Sequence, residues 1–435
     1  LSDPLQALNM IYPHKNLENL DDDDSKFLFG KKGLARTMLF KPKTKNKFKY
    51  KDSTLEKFGR IFSFDEIGKY SGKIKYILSS IKRSRGIVFI YSQYIDGGAV
   101  PMALALEEMG FSRYGTNSLF ETPASPPIDS ITLKEGTDDN PIKTPARYIM
   151  ITGDKNLTPN THNQLQAITA ENNTNGEIVK VVIVTRAGSE GLDFKNIREM
   201  HIMDPWYNYS RQKQITGRAI RNLSHCRLPY EKRNCSIFLY GTELPDKNIE
   251  AADLYIYRLA EKKALKMSTV SRILKETATD CLLNNEALNF SQKKINTTVD
   301  QELSNGTIIN YKIGDKEYSD MCDFTTCSYE CKPINKINDT INDQTYNEAF
   351  IIMNLDKILQ RIRLLFKEKY FYEKDDLILH IRHLKNYPID QIYSALTFLI
   401  NEKNEYITDI LGRLGHLINI GNYYLFQPVE IDNVF

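Results

Sequence analysis

Residues Ile178 to Phe194 read Ile-Val-Lys-Val-Val-Ile-Val-Thr-Arg-Ala-Gly-Ser-Glu-Gly-Leu-Asp-Phe, and they carry the clearest structural signal in the sequence. Its first half is apolar except for Lys180 and rich in β-branched side chains, which is typical of a strand buried on both faces. Its second half is polar and contains two glycines. A glycine-containing segment at the carboxyl end of a buried strand lies where open parallel sheets bind their ligands. The stretch therefore predicts a parallel α/β sheet with a ligand site at its edge.

Further segments on both sides fit the same sheet. Short apolar runs predict strands over residues 87–91, 148–151, 199–203 and 235–240. Helical patterns lie between them over residues 73–81, 100–109, 159–172 and 211–221. Because strands and helices alternate, the sheet should be parallel and covered on both faces. We therefore predict an α/β domain over residues 69–245, with a surface insertion rich in Pro, Ser, Thr, Asp and Gly at 112–146.

The flanking regions have different patterns. Residues 1–68 contain acidic and basic runs without sustained periodicity, which indicates a connector or exposed lead-in. Residues 246–345 begin with a long helix or helix pair at 253–283 and continue as an irregular, Asn-rich, Cys-containing segment, together a helical extension. Residues 346–435 show three helical patterns and then two short apolar runs. That order favours a winged-helix-like module.

Composition excludes several classes of protein. The chain has 435 residues and a net charge of +3, from 58 Lys+Arg and 55 Asp+Glu, so it does not bind nucleic acid through bulk positive charge. No apolar run approaches the length of a membrane span, and six cysteines are too sparse for a secreted disulfide scaffold. We expect a reducing, intracellular setting and no membrane partner. The first residue is Leu1 and not Met, which predicts that sequence precedes this chain.

A second segment carries chemistry about twenty residues after the first. It reads Gln-Ile-Thr-Gly-Arg-Ala-Ile-Arg from Gln214 to Arg221. Arg218 and Arg221 are three residues apart, so on a helix they share a face. Two adjacent guanidiniums form a clamp for phosphoryl oxygens, and Gly217 would let another backbone approach.

Together the two segments resemble motifs V and VI of superfamily 2 helicases. The intervening Met203–Trp206 is similar to the Asp-Pro-x-Trp-Asn stretch of Swi/Snf-type motors. The runs Gly86–Gly115, Ile151–Lys155 and Tyr255–Lys263 resemble helicases of large DNA viruses, the poxvirus-like early-transcription and nucleoside-triphosphatase helicases. The resemblance extends over about residues 70–435. It implies that residues 69–245 are the second RecA-like domain of such a motor.

The resemblance also implies roles for individual residues. Arg218 and Arg221 would be arginine fingers that reach the γ-phosphate of ATP. Gln214, Gly191 and Asp193 would lie at the nucleotide.

Other residues would contact the nucleic-acid backbone. By the same resemblance these are Thr152, Gly153, Thr185 and Ser189. The sequence departs from the commonest helicase pattern at Ile215, where many helicases place Arg, and this departure weakens the role inferred for the preceding glutamine.

A helicase motor also needs a P-loop. Residues 68–74 resemble one, but only three residues separate their glycines, Ile74 stands where Ser or Thr would bind Mg²⁺, and no strand precedes them. Residues 65–68 likewise only resemble an acidic box. ATP and Mg²⁺ would therefore be held mainly by a first RecA-like domain upstream in the same polypeptide. We expect the isolated chain to be inactive as an ATPase.

One cysteine cluster could bind zinc. Cys322, Cys327 and Cys331 are closely spaced, and Cys281 or a carboxylate could supply a fourth ligand. The spacing matches no standard zinc ribbon, however, so free thiols are the favoured interpretation.

These observations lead to one main hypothesis and two alternatives. The main hypothesis is the C-terminal half of an ATP-dependent helicase or translocase in viral transcription or genome handling, with DNA favoured over RNA as its track. Its partners would include the viral transcription machinery, in the virion or the host cytoplasm. The first alternative is a non-catalytic, helicase-like transcription-factor or assembly subunit. The second is a nucleotide-binding regulator without a nucleic-acid partner.

Overall fold

A computed structural model describes residues 2–15, 22–41, 47–159, 161–186, 192–332 and 348–431. The chain divides into two compact units, Leu1–Asn335 and Lys336–Phe435. Each unit is described here by itself.

The first unit combines strands with helices. Its strands are β1 (Met38–Lys41), β2 (Lys47–Tyr50), β3 (Ile87–Tyr91), β4 (Ser112–Arg113), β5 (Arg147–Ile151), β6 (Val181–Val184), β7 (Ile197–Ile202), β8 (Ser236–Leu239), β9 (Thr298–Glu302) and β10 (Ile308–Lys312). Its α-helices are α1 (Ser2–Asn9), α2 (Asp22–Ser25), α3 (Gly30–Thr37), α4 (Asp52–Phe58), α5 (Gly72–Ile81), α6 (Val100–Glu108), α7 (Thr161–Thr169), α8 (Tyr209–Ala219), α9 (Ala252–Thr277), α10 (Thr279–Leu283), α11 (Asn285–Leu288) and α12 (Gln292–Ile295).

Six of these strands form one sheet in the order β4-β5-β6-β3-β7-β8, and all neighbouring pairs are parallel. Every residue of β3 and β6 is buried, as expected for β-branched strands between two helical layers. In register, Val88 pairs with Val181 and Tyr91 with Val184. The predicted parallel α/β sheet is confirmed, since all five predicted strands are present. The short β4 was not predicted, because two residues carry too little pattern.

Within residues 1–68, the part that the structure describes is not an exposed lead-in. Met10, Tyr12, Met38 and Phe62 are each at most 2% exposed, and they share one apolar core with β3, β5 and β6. The interpretation as a connector therefore does not describe this segment. Its short elements have too little periodicity to reveal that tertiary contacts bury them.

The segment predicted as a surface insertion, residues 112–146, also reaches the core. Leu119 and Phe120 are buried. Their backbone N–H groups donate to the Glu107 carboxylate at 2.7 and 2.9 Å. Burial raises the pKa of Glu107, and these hydrogen bonds together with the Tyr148 hydroxyl oppose that rise.

The predicted helix pair at 253–283 is present as α9 and α10. Near its carboxyl end, α9 holds the following irregular segment through Arg272. The Arg272 guanidinium pairs with Asp323 at 3.1 Å and donates to the carbonyl oxygens of Cys322 and Thr326 at 2.7 and 2.9 Å. That segment in turn meets α8, because Asp320 lies 2.5 Å from the Lys213 ammonium. The antiparallel pair β9 and β10 is exposed along its whole length.

The second unit contains helices and an antiparallel sheet. Its elements are α13 (Glu348–Ile352), α14 (Leu355–Phe366), β11 (Phe371–Glu373), α15 (Lys374–Arg382), α16 (Ile389–Asn401), β12 (Ile407–Thr408), β13 (Leu414–Ile420) and β14 (Tyr423–Pro428). The sheet order is β11-β14-β13-β12. Ile358, Ile362 and Leu365 lie on one face of α14 and are buried in the core of this unit. The helices precede the β13–β14 hairpin, and this is the order that the sequence predicts. The winged-helix assignment stays a prediction.

Among the described residues, no helix combines the length and the apolar character that a membrane span requires.

The buried Lys180 leads to a prediction about how the stability of the native protein depends on pH. It is 1% exposed, and burial lowers its pKa from 10.5 to about 8, against the opposing effect of Glu199 and Glu177. Between these two pH values the unfolded chain binds more protons, so the stability of the native protein rises with pH. We expect Lys180→Met to be more stable than the natural chain by roughly 3 kcal/mol near neutral pH, and the difference should shrink as the pH approaches 10.5.

Urea unfolding of both proteins across this pH range measures the effect. Parallel pH profiles for the two proteins would contradict the prediction.

Candidate functional site

An open cleft of about 360 Å³ lies against α8. Its wall comes from the residues that follow β6, from the loop between β7 and α8, and from α8 itself. The lining residues are Arg186, Trp206, Asn208, Ser210, Arg211, Gln214, Ile215 and Arg218. Among these lining residues there are three arginines and no carboxylate. The cleft is therefore suited to bind phosphoryl oxygens.

One face of α8 supplies much of this charge. Arg211, Gln214 and Arg218 follow one another at spacings of three and four residues, so they lie on the same side of the helix. The helix begins at the Asn208 cap, whose side-chain oxygen accepts a hydrogen bond from the N–H of Arg211 at 3.3 Å. It ends at Ala219.

The prediction that Arg218 and Arg221 share a helix face is wrong. Ile220 is extended, with φ −117° and ψ 97°, so Arg221 lies beyond the end of α8. The two guanidiniums nevertheless reach neighbouring residues. Arg218 Nη1 donates to the Leu192 carbonyl at 3.1 Å, and Arg221 Nη1 lies 3.8 Å from Asp193 Oδ1. The structure thus brings together Arg218, Arg221 and Asp193 at the start of the segment that leads into β7.

The ion pairs around Asp193 are weak. The side chains of Arg221 and Asp193 are 51% and 42% exposed, and Lys195 lies 3.6 Å from the same carboxylate. Exposed pairs of this kind are screened by solvent and contribute little. Arg221 can therefore exchange Asp193 for a phosphate at small cost.

Trp206 positions two of the arginines that line the cleft. The Arg211 guanidinium lies 4.1 Å from the centre of the indole, and that of Arg186 lies 5.4 Å away. Both distances are within the range of cation–π attraction, which is strongest for Trp. The indole thus holds two guanidiniums beside the cleft.

The predicted nucleic-acid residues lie at the carboxyl ends of β5 and β6. Thr152 and Thr185 are buried, and the Thr185 hydroxyl donates to the Thr152 carbonyl at 3.1 Å. The Thr152 hydroxyl is 3.2 Å from that of Thr158 and accepts from the N–H of Asp154 at 3.3 Å. Gly153 has φ +75°, a conformation that glycine adopts without strain. The Thr152 and Thr185 hydroxyls therefore stabilise the turn through hydrogen bonds inside the protein. The predicted residues Gly191 and Ser189 lie outside the described part of the chain.

Behind the cleft, Asp204 is the centre of a buried polar network. Its Oδ2 accepts hydrogen bonds from the Ser92 hydroxyl at 2.6 Å and from the N–H of Gln93 at 2.7 Å. Its Oδ1 accepts a hydrogen bond from the Asn9 side-chain amide. Burial raises the pKa of Asp204, while these hydrogen bonds lower it.

Lys73 completes this network. Its ammonium lies 3.0 Å from Asp253 Oδ2 and donates to Asn9 Oδ1 at 3.3 Å and to the Met203 carbonyl at 3.1 Å. The Lys73 and Asp253 side chains are 6% and 0% exposed. Because all three N–H groups of the ammonium have a partner inside the protein, Lys73 is a structural residue. It does not present its charge to a phosphate as a P-loop lysine would.

The cysteines form two disulfides and not a metal site. Cys322 is bonded to Cys327, and Cys281 is bonded to Cys331. The Cα separations, 4.7 and 5.4 Å, lie within the range that a disulfide spans. Neither the zinc candidate nor the favoured interpretation as free thiols describes these residues. Across the described ranges, no group of three or more His, Cys, Asp or Glu side chains is placed to hold a metal ion.

Sequence reasoning missed several residues of the site. Arg211 could have been found, because its spacing to Gln214 and Arg218 is helical. Asn9 left no local signal, since it lies 195 residues before its partner Asp204.

Comparisons with known proteins agree with this geometry. Residues 143–223, which span β5 to the end of α8, match the family described as the helicase conserved C-terminal domain. A candidate ATP-dependent RNA helicase of Acanthamoeba polyphaga mimivirus is 26% identical over 86% of this chain and 36% of its own length. A candidate helicase of Invertebrate iridescent virus 3 is 26% identical over 72% of this chain and 29% of its own length.

A third relative is the termination factor NPH-I homolog of African swine fever virus. It is 29% identical over 50% of this chain and 34% of its own length. The chain thus spans about a third of the length of the curated relatives named here. The resemblance to superfamily 2 helicases of large DNA viruses is confirmed.

The buried pair of Lys73 and Asp253 generates a prediction about stability. Lys73→Met leaves the Asp253 carboxylate buried without its cation, so we expect the free energy of unfolding to fall by about 3–5 kcal/mol. Lys69→Met is the matched control, because Lys69 pairs with Glu66 at the surface. Denaturant unfolding should show no resolvable change for this control. Equal losses in the two variants would show that burial of the pair is unimportant.

Proposed function

We propose that this chain is the C-terminal half of an ATP-dependent superfamily 2 helicase or translocase of a large DNA virus. The observation that carries this proposal is the convergence of Arg186, Arg211, Gln214 and Arg218 on one cleft within the segment that matches the helicase C-terminal domain. A cleft of three guanidiniums without a lining carboxylate fits the phosphates of a nucleotide or of a nucleic acid.

In this proposal Arg218 and Arg221 are arginine fingers. They neutralise charge on the γ-phosphate when the two helicase domains close, and Gln214, Gly191 and Asp193 lie at the same nucleotide. The weak contact of Arg221 with Asp193 supports this role, because an arginine finger must be able to leave its resting partner.

ATP, when bound, supplies the free energy of hydrolysis that drives movement. ATP and Mg²⁺ are held mainly by a first RecA-like domain, which supplies the P-loop. This chain's own residues bind and orient phosphoryl oxygens from the other side. Closure and reopening of the two domains then advance the motor along its track.

The nucleic-acid contact lies at the turns after β5 and β6. The Thr152 and Thr185 hydroxyls are occupied inside the protein, so they shape the turn, and the main chain at Gly153 approaches the phosphates. The resemblance assigns a further contact to Ser189. Each contact engages individual phosphates, so the near-neutral charge of the chain is no obstacle.

We propose DNA as the track and viral transcription or genome handling as the process. The African swine fever virus relative is named a termination factor homolog, which supports a role in transcription alongside the viral transcription machinery. The mimivirus relative is named an RNA helicase, so RNA is the alternative track. The protein would act in the virion or the host cytoplasm.

The arginine-finger role predicts a large kinetic effect. In the full polypeptide that includes the upstream sequence, Arg221→Ala should lower nucleic-acid-stimulated turnover of ATP by about a thousandfold, because the guanidinium stabilises charge that develops in the transition state. The measurement is steady-state ATP hydrolysis at saturating nucleic acid. Arg227→Ala is the matched control, since Arg227 pairs with Glu171 at the surface, and it should leave turnover unchanged.

Two outcomes would overturn parts of this proposal. Unchanged turnover in Arg221→Ala would remove the arginine-finger role. A natural full-length polypeptide without ATPase activity would instead favour the non-catalytic, helicase-like subunit.

A further inference from the structure

We infer that Asn9, on helix α1, is a positioning residue for the Trp206 cleft and acts through Asp204. This inference rests on the proposed function only for the ligand that the cleft binds. The chain of contacts itself is independent of that proposal.

Both ends of the Asn9 amide are committed inside the protein. The side chain is fully buried. Its Nδ2 donates to Asp204 Oδ1 and to the Gly97 carbonyl, the latter at 3.2 Å, and its Oδ1 accepts from the Lys73 ammonium at 3.3 Å. An amide both donates and accepts, so no apolar side chain can satisfy these three partners. Asn9 therefore places the anion Asp204 and the cation Lys73 relative to each other.

Asp204 transmits this position to the cleft. Its carboxylate fixes the chain to Ser92 and Gln93, just where the loop leaves β7. Pro205 and Trp206 follow directly, and the fixed φ of proline limits how the loop can compensate for a shift. Asp204 and Trp206 also line a common cavity of only about 10 Å³. In such tight packing, displacement of one side chain displaces the other.

Trp206 in turn positions the guanidinium groups of two arginines. Its indole lies 4.1 Å from the Arg211 guanidinium and 5.4 Å from that of Arg186. The sequence of contacts thus runs from Asn9 through Asp204 to Trp206 and ends on the cationic wall of the cleft. Helix α1 thus influences the position of the phosphate-binding residues, although it does not contact them.

The sequence offers a direct probe, because Trp206 is its only tryptophan. Tryptophan-selective excitation of the full chain therefore reports on this cleft alone. In Asn9→Ala we expect acrylamide to quench Trp206 more strongly than in the natural protein. We also expect affinity for inorganic pyrophosphate, measured by titration calorimetry at low salt, to fall about fivefold, equivalent to one hydrogen bond.

Asn173→Ala is the matched control. Asn173 is also a fully buried asparagine. Its amide donates to the carbonyl oxygens of Ile168 and Val179 at 3.1 Å, and neither partner is a lining residue of the cleft. Its loss should lower the free energy of unfolding as Asn9→Ala does, but leave the quenching and the pyrophosphate affinity unchanged. Equal changes in the two variants would reduce Asn9 to a structural role and overturn the inference.

Ser92→Ala keeps the inference testable if Asn9→Ala does not fold. It removes only the hydroxyl that donates to Asp204 at 2.6 Å, and it should raise the quenching of Trp206 by a smaller amount. A folded Ser92→Ala protein with natural quenching would overturn the inference. Because quenching is measured without ligand, the positioning role of Asn9 and the proposed function can be contradicted independently of each other. If the natural protein does not bind pyrophosphate, the phosphate-binding role that the proposed function gives the cleft fails, while the positioning role is decided by quenching alone.

Discussion

The buried carboxylate of Asp204 joins distant parts of the first unit through the hydrogen bonds that it accepts. A carboxylate can be fully buried only when its oxygens accept hydrogen bonds that replace water. Here the donors come from three places: the end of β3, the backbone of Gln93, and the amide of Asn9 on the first helix. The need to satisfy one charge thus ties together segments that lie about two hundred residues apart, and it makes the amino-terminal region part of the sheet domain.

The distribution of charge matters more than its total. A net charge of +3 over 435 residues produces no strong overall field, yet three guanidiniums line a single cleft. Near a protein surface the interaction of fixed charges with a phosphate is several times stronger than in bulk water. Contacts of this local kind can engage individual phosphates without a surplus of positive charge over the whole chain.

The sequence predicted the sheet well because its strands are buried on both faces. Runs such as Val181–Val184 have few alternatives to a central strand, and the helices between them fix the parallel order. Arg218 and Gln214 were found from the helicase motifs. The face shared by Arg218 and Arg221 was not correctly predicted, since the end of a helix depends on one residue, and Ile220 becomes extended there.

Other features depend on contacts between distant residues and have no local signature. The burial of Met10 and Tyr12 requires the completed sheet, so a scan of residues 1–68 could not detect it. The pairing of the cysteines depends on how the segment after α12 returns to α9, which spacing alone does not specify.

Helix α9 has a mechanical consequence. Its 26 residues form a rod of about 39 Å, and a single continuous helix resists bending. One end is anchored through Asp253 to the lysine behind the cleft, and the other holds, through Arg272, the segment that touches α8 at Lys213. A force along this rod would therefore reach the buried Lys73 at one end and, through a surface ion pair, α8 at the other. Such a strut can couple strain in the helical extension to the geometry of the phosphate-binding residues.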